Sequence, residues 1–217
     1  MKKHIVCLGD SNTYGYCADP ADCADGPLQR FNEDERWTQL LQKALGQDYL
    51  VLEEGLPGRT TVFEDYLHEG MSALPYVYPC LMSHLPVDLL IIMLGTNDTK
   101  ERLGQNASCI ALGMDRLVRK AKSVECWAKG TPNILVVCPP AILPCMESDP
   151  CGAPMGRGCI EKSRELPRYM EAQAKLLGVH YLDAGECEFN PVDGMHLTRR
   201  GHGQLAARLA QLVPGLA

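Results

Sequence analysis

Short apolar segments alternate with longer amphipathic segments along the chain. Each apolar segment is only four to six residues long, the length of a buried β-strand rather than of a helix. These predicted strands cover residues 5–8, 49–52, 89–94, 134–138 and 179–182. Apolar positions at helical spacing predict helices over residues 36–45, 110–124, 160–177 and 203–213. Strands alternating with helices predict a parallel sheet with helices on both faces.

No linker or internal repeat interrupts this alternation. A chain of 217 residues can bury one sizeable core. We therefore expect a single α/β domain over residues 1–217, with three layers (α/β/α) around a central parallel five-stranded sheet. The Gly-, Pro- and Cys-rich stretch at residues 139–158 has no period. We interpret it as a long surface loop, of a kind that often forms lids or subunit contacts.

Residues able to carry chemistry follow the predicted strands. Ser11 follows the first strand, Gly58 the second and Asn97 the third, while Asp193 and His196 follow the fifth. In open parallel sheets, ligands bind at the carboxyl ends of the strands. All five residues therefore fall at the edge of the sheet where a site is expected.

These residue types are the ones that acyl transfer by a serine nucleophile needs. His196 is the candidate base for Ser11, and Asp193 can accept the Nδ1 proton of His196, which leaves Nε2 facing the serine. The Asn97 side chain and the backbone N–H groups of Gly58 and Ser11 can form an oxyanion hole. Simpler roles remain open, namely a helix cap at Ser11 and turns at the other positions.

The motifs around these residues resemble those of a known superfamily. They are Gly-Asp-Ser at residues 9–11, Pro-Gly-Arg at 57–59, Gly-Thr-Asn-Asp at 95–98 and Asp-Gly-Met-His at 193–196. In this order they resemble the SGNH hydrolases of the GDSL superfamily, whose four letters would be Ser11, Gly58, Asn97 and His196. The chain is most similar to the bacterial arylesterase/acyltransferase branch. The resemblance is weakest between residues 142 and 167.

The resemblance implies a serine esterase acting on small acyl esters, with possible transfer of the acyl group to alcohols or to peroxide (perhydrolase activity). It also implies a homo-oligomer whose contacts narrow the cleft. It places an aromatic, substrate-binding residue at Tyr16. The oxyanion-hole glycine is open between Gly55 and Gly58, and the branch favours Gly58 because it directly precedes Arg59.

A second Asp/His pair has the same spacing as Asp193 and His196. Asp65 and His68 lie after the second predicted strand, where the SGNH pattern has no catalytic pair. We expect His68 to be a solvated histidine or a residue of the substrate cleft.

Composition excludes several functional classes. The formal net charge is −6, without the basic face that nucleic-acid binding needs. No apolar stretch reaches the ~18 residues of a membrane span, and no secretory signal precedes the first strand, so we expect a cytoplasmic protein with no membrane partner. The 11 cysteines are expected to be buried thiols. Cys145, Cys151 and Cys159 lack zinc-site spacing, and we expect no metal and no cofactor.

The sequence therefore predicts a flavodoxin-like serine esterase for small acyl esters. A carbohydrate O-acetylesterase with the same chemistry is one alternative, which sequence does not separate from the first. A non-catalytic binding protein with a flavodoxin-like cleft is an alternative of another class. Failure of Ser11 to react with a fluorophosphonate would favour that alternative.

Overall fold

The structure is a computed structural model, which describes residues 1–25, 29–148 and 153–217. Its centre is a sheet of five strands: β1 (Lys3–Gly9), β2 (Tyr49–Gly55), β3 (Leu89–Met93), β4 (Ile134–Cys138) and β5 (His180–Asp183). All neighbouring strands are parallel, and their order is β2-β1-β3-β4-β5. This is the order of flavodoxin-like sheets, so the predicted fold class is confirmed.

Helices cover both faces of this sheet. They are α1 (Ser11–Tyr14), α2 (Trp37–Leu45), α3 (Ala73–Ser83), α4 (Ala107–Lys122), α5 (Cys159–Leu177) and α6 (Arg199–Leu216). Leu90 and Ile92 of β3 pack with α3, α4 and α5, whereas Leu89 and Ile91 pack with α2 and α6. Burial on both faces explains why β3 is apolar throughout. Within the described residues, no helix is long and apolar enough to cross a membrane.

Two helices, α4 and α6, begin earlier than the sequence predicted, and the residues that cap them explain why. Asn106 Oδ1 accepts a hydrogen bond from the Cys109 amide at 2.8 Å, so α4 begins before residue 110. Thr198 Oγ1 accepts one from the Gly201 amide at 2.9 Å, so α6 begins before residue 203. Helix α3 has no predicted counterpart, because the prolines within it obscure its apolar period.

The stretch at residues 139–158 is more than a surface loop, which corrects the prediction. Its described parts include two short 3₁₀ turns, Pro144–Ser148 and Ala153–Met155. Three of its side chains are buried against Met195, the neighbour of His196; they are Ile142, Met146 and Met155. The loop therefore packs against the segment that carries His196.

Candidate active site

Ser11 is the first residue of α1, after a tight turn at Asp10 that follows the end of β1. The turn is capped by Asp10, whose Oδ1 accepts a hydrogen bond from the Asn12 amide at 2.9 Å. It also needs a glycine at position 9, because a Cβ there would collide with the Thr13 side chain. Ser11 is 7% exposed. The fold thus holds a mostly buried serine at the carboxyl edge of the sheet.

His196 bridges Ser11 and Asp193. Its Nε2 lies 2.8 Å from Ser11 Oγ, and its Nδ1 lies 2.6 Å from Asp193 Oδ2. Ser11 and His196 are 185 positions apart in the chain. They meet because the end of β1 and the segment after β5 lie at the same edge of the parallel sheet.

The ionised form of Asp193 is favoured. Burial raises the pKa of Asp193, but the hydrogen bond and charge of His196 and the amides of Met195 and His196 outweigh burial. The net pKa therefore lies below its ordinary value. An ionised Asp193 holds a proton on Nδ1 of His196, which leaves Nε2 able to accept the proton of Ser11.

Asn12 ties the two halves of this arrangement together. Its Oδ1 accepts a hydrogen bond from the Leu197 amide at 2.9 Å, and its Nδ2 donates to the Met195 carbonyl at 3.1 Å. The residue after Ser11 thus holds both neighbours of His196. The sequence offers only one signal for this role, the position of Asn12 beside the serine.

Two of the three predicted oxyanion donors, Asn97 and Gly58, belong to loops that are hydrogen-bonded to each other. Asn97 Nδ2 donates to the Arg59 carbonyl at 3.2 Å, which leaves its second amide proton for another acceptor. Asp98 Oδ1 accepts hydrogen bonds from the amide and the hydroxyl of Thr61, at 2.9 and 2.5 Å. These bonds fix Asn97 beside the loop that contains Gly58.

The two glycines left open by the sequence have different surroundings. Gly55 ends β2, and a Cβ there would collide with the backbone of Tyr14. Gly58 lines the cleft and has φ = 90°, a left-handed conformation that favours glycine. Gly55 therefore serves packing, and Gly58 is the glycine that faces the cleft.

A cleft of about 470 Å³ opens beside His196, a size suited to a small ligand. Tyr16 forms one wall, with its ring centroid 4.5 Å from that of His196. The lining residues are Tyr16, Pro57, Gly58, His68, Lys100, Asp193, Met195 and His196.

His68 lies in this cleft, but its neighbour Asp65 is engaged by two cations. Arg102 donates to Asp65 Oδ1 and Oδ2 at 2.9 and 2.7 Å, and Lys100 Nζ donates to Oδ2 at 3.0 Å. His68 Nδ1 is 3.6 Å from Asp65, beyond hydrogen-bond length. The Arg102 bonds, with those of Lys100, hold the pKa of Asp65 well below its ordinary value despite burial. Asp65 and His68 thus do not reproduce the geometry of Asp193 and His196.

Two further buried carboxyl groups lie next to Ser11 and Asn97. Burial raises the pKa of Asp10 to about 6, although the Asn12 amide and nearby positive charges oppose this. Burial likewise raises the pKa of Asp98 to about 6, against its hydrogen bonds from Thr61. Burial therefore opposes the ionised form of both groups.

One trio of possible metal ligands occurs in the part of the chain that the structure describes. The ligand atoms of Glu54, Cys80 and His84 lie within 4.8 Å of one another, a grouping that the sequence did not indicate. Protein contacts account for two of them: His84 Nε2 lies 2.6 Å from Glu54 Oε1, and the Tyr76 hydroxyl donates to Glu54 Oε2 at 2.6 Å. We interpret Glu54 and His84, together with Tyr76, as a hydrogen-bonded link between β2 and α3.

Cys145 and Cys159, two of the three cysteines weighed above as zinc ligands, do not belong to a group of possible metal ligands among the described residues. Cys159 is buried and Cys145 is partly exposed, while Cys151 lies outside the described residues. Most of the other described cysteines are buried, as the sequence predicted.

Three solved structures show what the chain resembles. A native aryl esterase from M. smegmatis is 38% identical, over 99% of this chain and 100% of that chain, with a TM-score of 0.89. A carbohydrate acetylesterase from Sinorhizobium meliloti is 35% identical over 100% of both chains, with a TM-score of 0.88. A lipase/acylhydrolase from Enterococcus faecalis is 17% identical over 98% and 96%, with a TM-score of 0.68, and shows the fold alone. Curated proteins gave no match.

A protein-family model also matches the chain, and the match includes all four sequence motifs. The model described as the GDSL-like lipase/acylhydrolase family matches residues 7–204, which include every residue of the candidate site. The alternative of a non-catalytic binding protein finds no support in these comparisons. The chain therefore belongs to the GDSL-like lipase/acylhydrolase family, and it is an ester-hydrolysing enzyme with the SGNH hydrolase fold.

Proposed function

We propose that the protein is a serine esterase that hydrolyses short-chain acyl esters through an acyl-enzyme on Ser11. One observation carries the proposal: His196 contacts Ser11 Oγ through Nε2 at 2.8 Å and Asp193 through Nδ1 at 2.6 Å. A serine hydroxyl is a weak nucleophile at neutral pH, and a base within hydrogen-bond reach activates it.

In the first half of the reaction, Ser11 Oγ attacks the ester carbonyl carbon while His196 Nε2 takes its proton. The carbonyl oxygen becomes an oxyanion, which the N–H groups of Ser11 and Gly58 and the side-chain amide of Asn97 stabilise. Each such donor contributes about 3 kcal/mol to the transition state. His196 then gives its proton to the departing alkoxide, the C–O bond breaks, and an acyl-Ser11 ester remains.

In the second half, His196 removes a proton from a water molecule, whose oxygen attacks the acyl-Ser11 carbonyl. Release of the carboxylic acid returns the proton to Ser11. An alcohol in place of water yields a new ester, and hydrogen peroxide yields a peracid. The same residues therefore support acyltransferase and perhydrolase reactions when these nucleophiles outcompete water.

A short acyl chain is favoured by the walls that stand beside the reacting histidine. The Tyr16 ring lies 4.5 Å from the His196 ring, and Met195 also lines the cleft there. Aryl esters from acetate to butyrate should outpace octanoate and longer esters. Tyr16→Ala should raise the relative rate of octanoate, and a wild-type preference for long chains would contradict the proposal.

Labelling with a fluorophosphonate tests the nucleophile directly. The wild-type protein should gain one label on the peptide that contains Ser11, and it should lose aryl-acetate hydrolysis. Ser11→Ala should neither be labelled nor turn over, while its circular dichroism stays native. Ser123→Ala is the matched control, because Ser123 is an exposed serine at the end of α4. A label elsewhere would refute the assignment.

A carbohydrate O-acetylesterase is the second candidate. It is favoured by the 35% identity to the S. meliloti carbohydrate acetylesterase and by the polar side chains of His68 and Lys100 in the cleft. The chemistry at Ser11 is the same for both candidates. Comparison of kcat/KM for acetylated sugars and simple aryl acetates distinguishes them.

A further inference from the structure

Two cysteines outside the reacting groups contact each other close to the cleft. Cys17 and Cys23 are 1% and 6% exposed, and together with Phe31 they form a small separate core. This cluster packs the two side chains together. Cys17 Sγ donates to the Asp19 carbonyl at 3.0 Å, and Cys23 Sγ donates to the Arg30 carbonyl at 3.3 Å.

The backbone connects this thiol pair directly to the cleft wall. Cys17 follows Tyr16, whose ring lies 4.5 Å from the ring of His196. Tyr16 pairs with Arg30 in an isolated antiparallel bridge, and the Cys17 amide donates to the Gln29 carbonyl at 3.2 Å. A displacement of Cys17 is therefore passed to Tyr16.

We propose that Cys17 and Cys23 are a redox pair, whose oxidation to a disulfide shifts Tyr16 against His196 and slows ester turnover. A disulfide bond is about 2.05 Å long, shorter than any contact between two separate thiols, so the two sulfurs must approach each other. The bond closes a short loop within one chain, so it requires no partner.

The oxidant is a small disulfide such as oxidised glutathione. The Cys23 thiolate, on the less buried residue, attacks one sulfur of the oxidant and forms a mixed disulfide, which releases one glutathione thiolate. The Cys17 thiolate then attacks the Cys23 sulfur and releases the second glutathione. Two protein thiols are oxidised, and one glutathione disulfide is reduced to two thiols.

Burial should make this exchange slow at neutral pH. Burial, followed by the neighbouring Cys23, raises the pKa of Cys17 to about 12, so little thiolate is present. The rate of closure should rise with pH, because the thiolate is the reacting form.

The test compares the oxidised and the reduced protein. After incubation with oxidised glutathione, peptide mapping should find a Cys17–Cys23 link, and kcat/KM for an aryl acetate should fall about tenfold. A displacement on the order of 1 Å near reacting groups can cost up to about 100-fold. Dithiothreitol should restore both the thiols and the rate.

Two variants separate this pair from the other cysteines. Cys23→Ala should fold, form no link and keep its rate in the oxidant. Cys109→Ser is the control, because Cys109 is partly exposed on α4, and this variant should behave as wild type. The proposal is overturned if oxidation links other cysteines instead, if it leaves both thiols reduced, or if the Cys17–Cys23 link forms without a change in kcat/KM. A Cys23→Ala variant that still loses activity in the oxidant would also overturn it.

Discussion

Asn12 Oδ1 accepts a hydrogen bond from the Leu197 amide at 2.9 Å, so the residue after Ser11 holds the residue after His196. Together with the bond from Asn12 Nδ2 to the Met195 carbonyl, it fixes the backbone on both sides of the histidine. The 2.8 Å contact between Ser11 and His196 therefore depends on a side chain that takes no part in proton transfer.

Loss of the two hydrogen bonds that the Asn12 side chain makes beside His196 should slow the reaction without abolishing it. Asn12→Ala should lower kcat about 10- to 100-fold, because small misplacements of reacting groups are costly. The KM for an aryl acetate should change little. Asn133→Ala is the matched control: Asn133 also donates to two carbonyls, of Asp88 and Leu216, but lies away from the cleft. Equal effects of the two variants on kcat would contradict the positioning role.

The carboxylate of Asp193 should be needed for rate rather than for folding. Asp193→Asn should lower kcat by about 10⁴-fold, because an amide no longer selects the Nδ1 tautomer of His196 or stabilises its cationic form. Asp65→Asn should instead lower the melting temperature, because it leaves Lys100 and Arg102 without a buried anion. Steady-state kinetics and thermal denaturation of both variants check this contrast, which a fast Asp193→Asn enzyme would refute.

His202 should make stability depend on pH. Its Nδ1 accepts a hydrogen bond from the Trp37 amide at 3.2 Å, and burial lowers its pKa to about 3. The ordinary pKa is about 6.5, so between these values the unfolded chain binds a proton that the folded chain does not. Stability due to neutral His202 is therefore complete above pH ~6.5 and falls as pH falls toward 3.

The variant His202→Gln isolates this contribution. Between about pH 6.5 and pH 5, wild type should lose about 2 kcal/mol of unfolding free energy relative to the variant. Urea denaturation at several pH values measures the difference, in which contributions from Asp10 and Asp98 cancel. Parallel pH profiles of the two proteins would show that His202 is not the responsible group.

Sequence periodicity predicted the sheet well, because β3 and β4 are buried along their whole length and β1 along most of it, so that they read as apolar runs. It failed for α3, where packing of Val77, Cys80 and Leu81 in the core outweighs the low helix propensity of proline. It also began α4 and α6 too late, because the capping side chains that open them precede the apolar positions.

The candidate site was predictable to the extent that its residues follow strands or share a short motif. Ser11, Asn97 and His196 were proposed in this way, and the contact between Ser11 and His196 forms because the topology brings strand ends to one edge. The role of Asn12 was not predictable, because it depends on contacts with residues 183 and 185 positions away. The ion pair between Asp65 and Arg102 was not predictable either, because these residues are 37 positions apart in the chain.

The homo-oligomer remains a prediction. The structure weakens one reason for it, namely the apolar stretch at residues 139–158. The apolar side chains of the 139–158 stretch pack against Met195 within the same chain, so they need no second subunit to bury them. Among the described residues, Tyr66, Leu67 and Val192 are exposed apolar side chains close in sequence to residues that line the cleft. Light scattering at micromolar concentration should give a multiple of 23.9 kDa, and a monomer mass would contradict the prediction.

The most direct test of the proposed mechanism compares two histidines of one cleft. His196 lies 2.8 Å from Ser11, whereas His68 lies 3.6 Å from an aspartate already paired with Lys100 and Arg102. On one aryl acetate, His196→Ala should lose several powers of ten in kcat. His68→Ala should stay within about tenfold of wild type, ~1.4 kcal/mol, with any change mainly in KM. An inactive His68→Ala enzyme together with an active His196→Ala enzyme would contradict the assignment of His196 as the base.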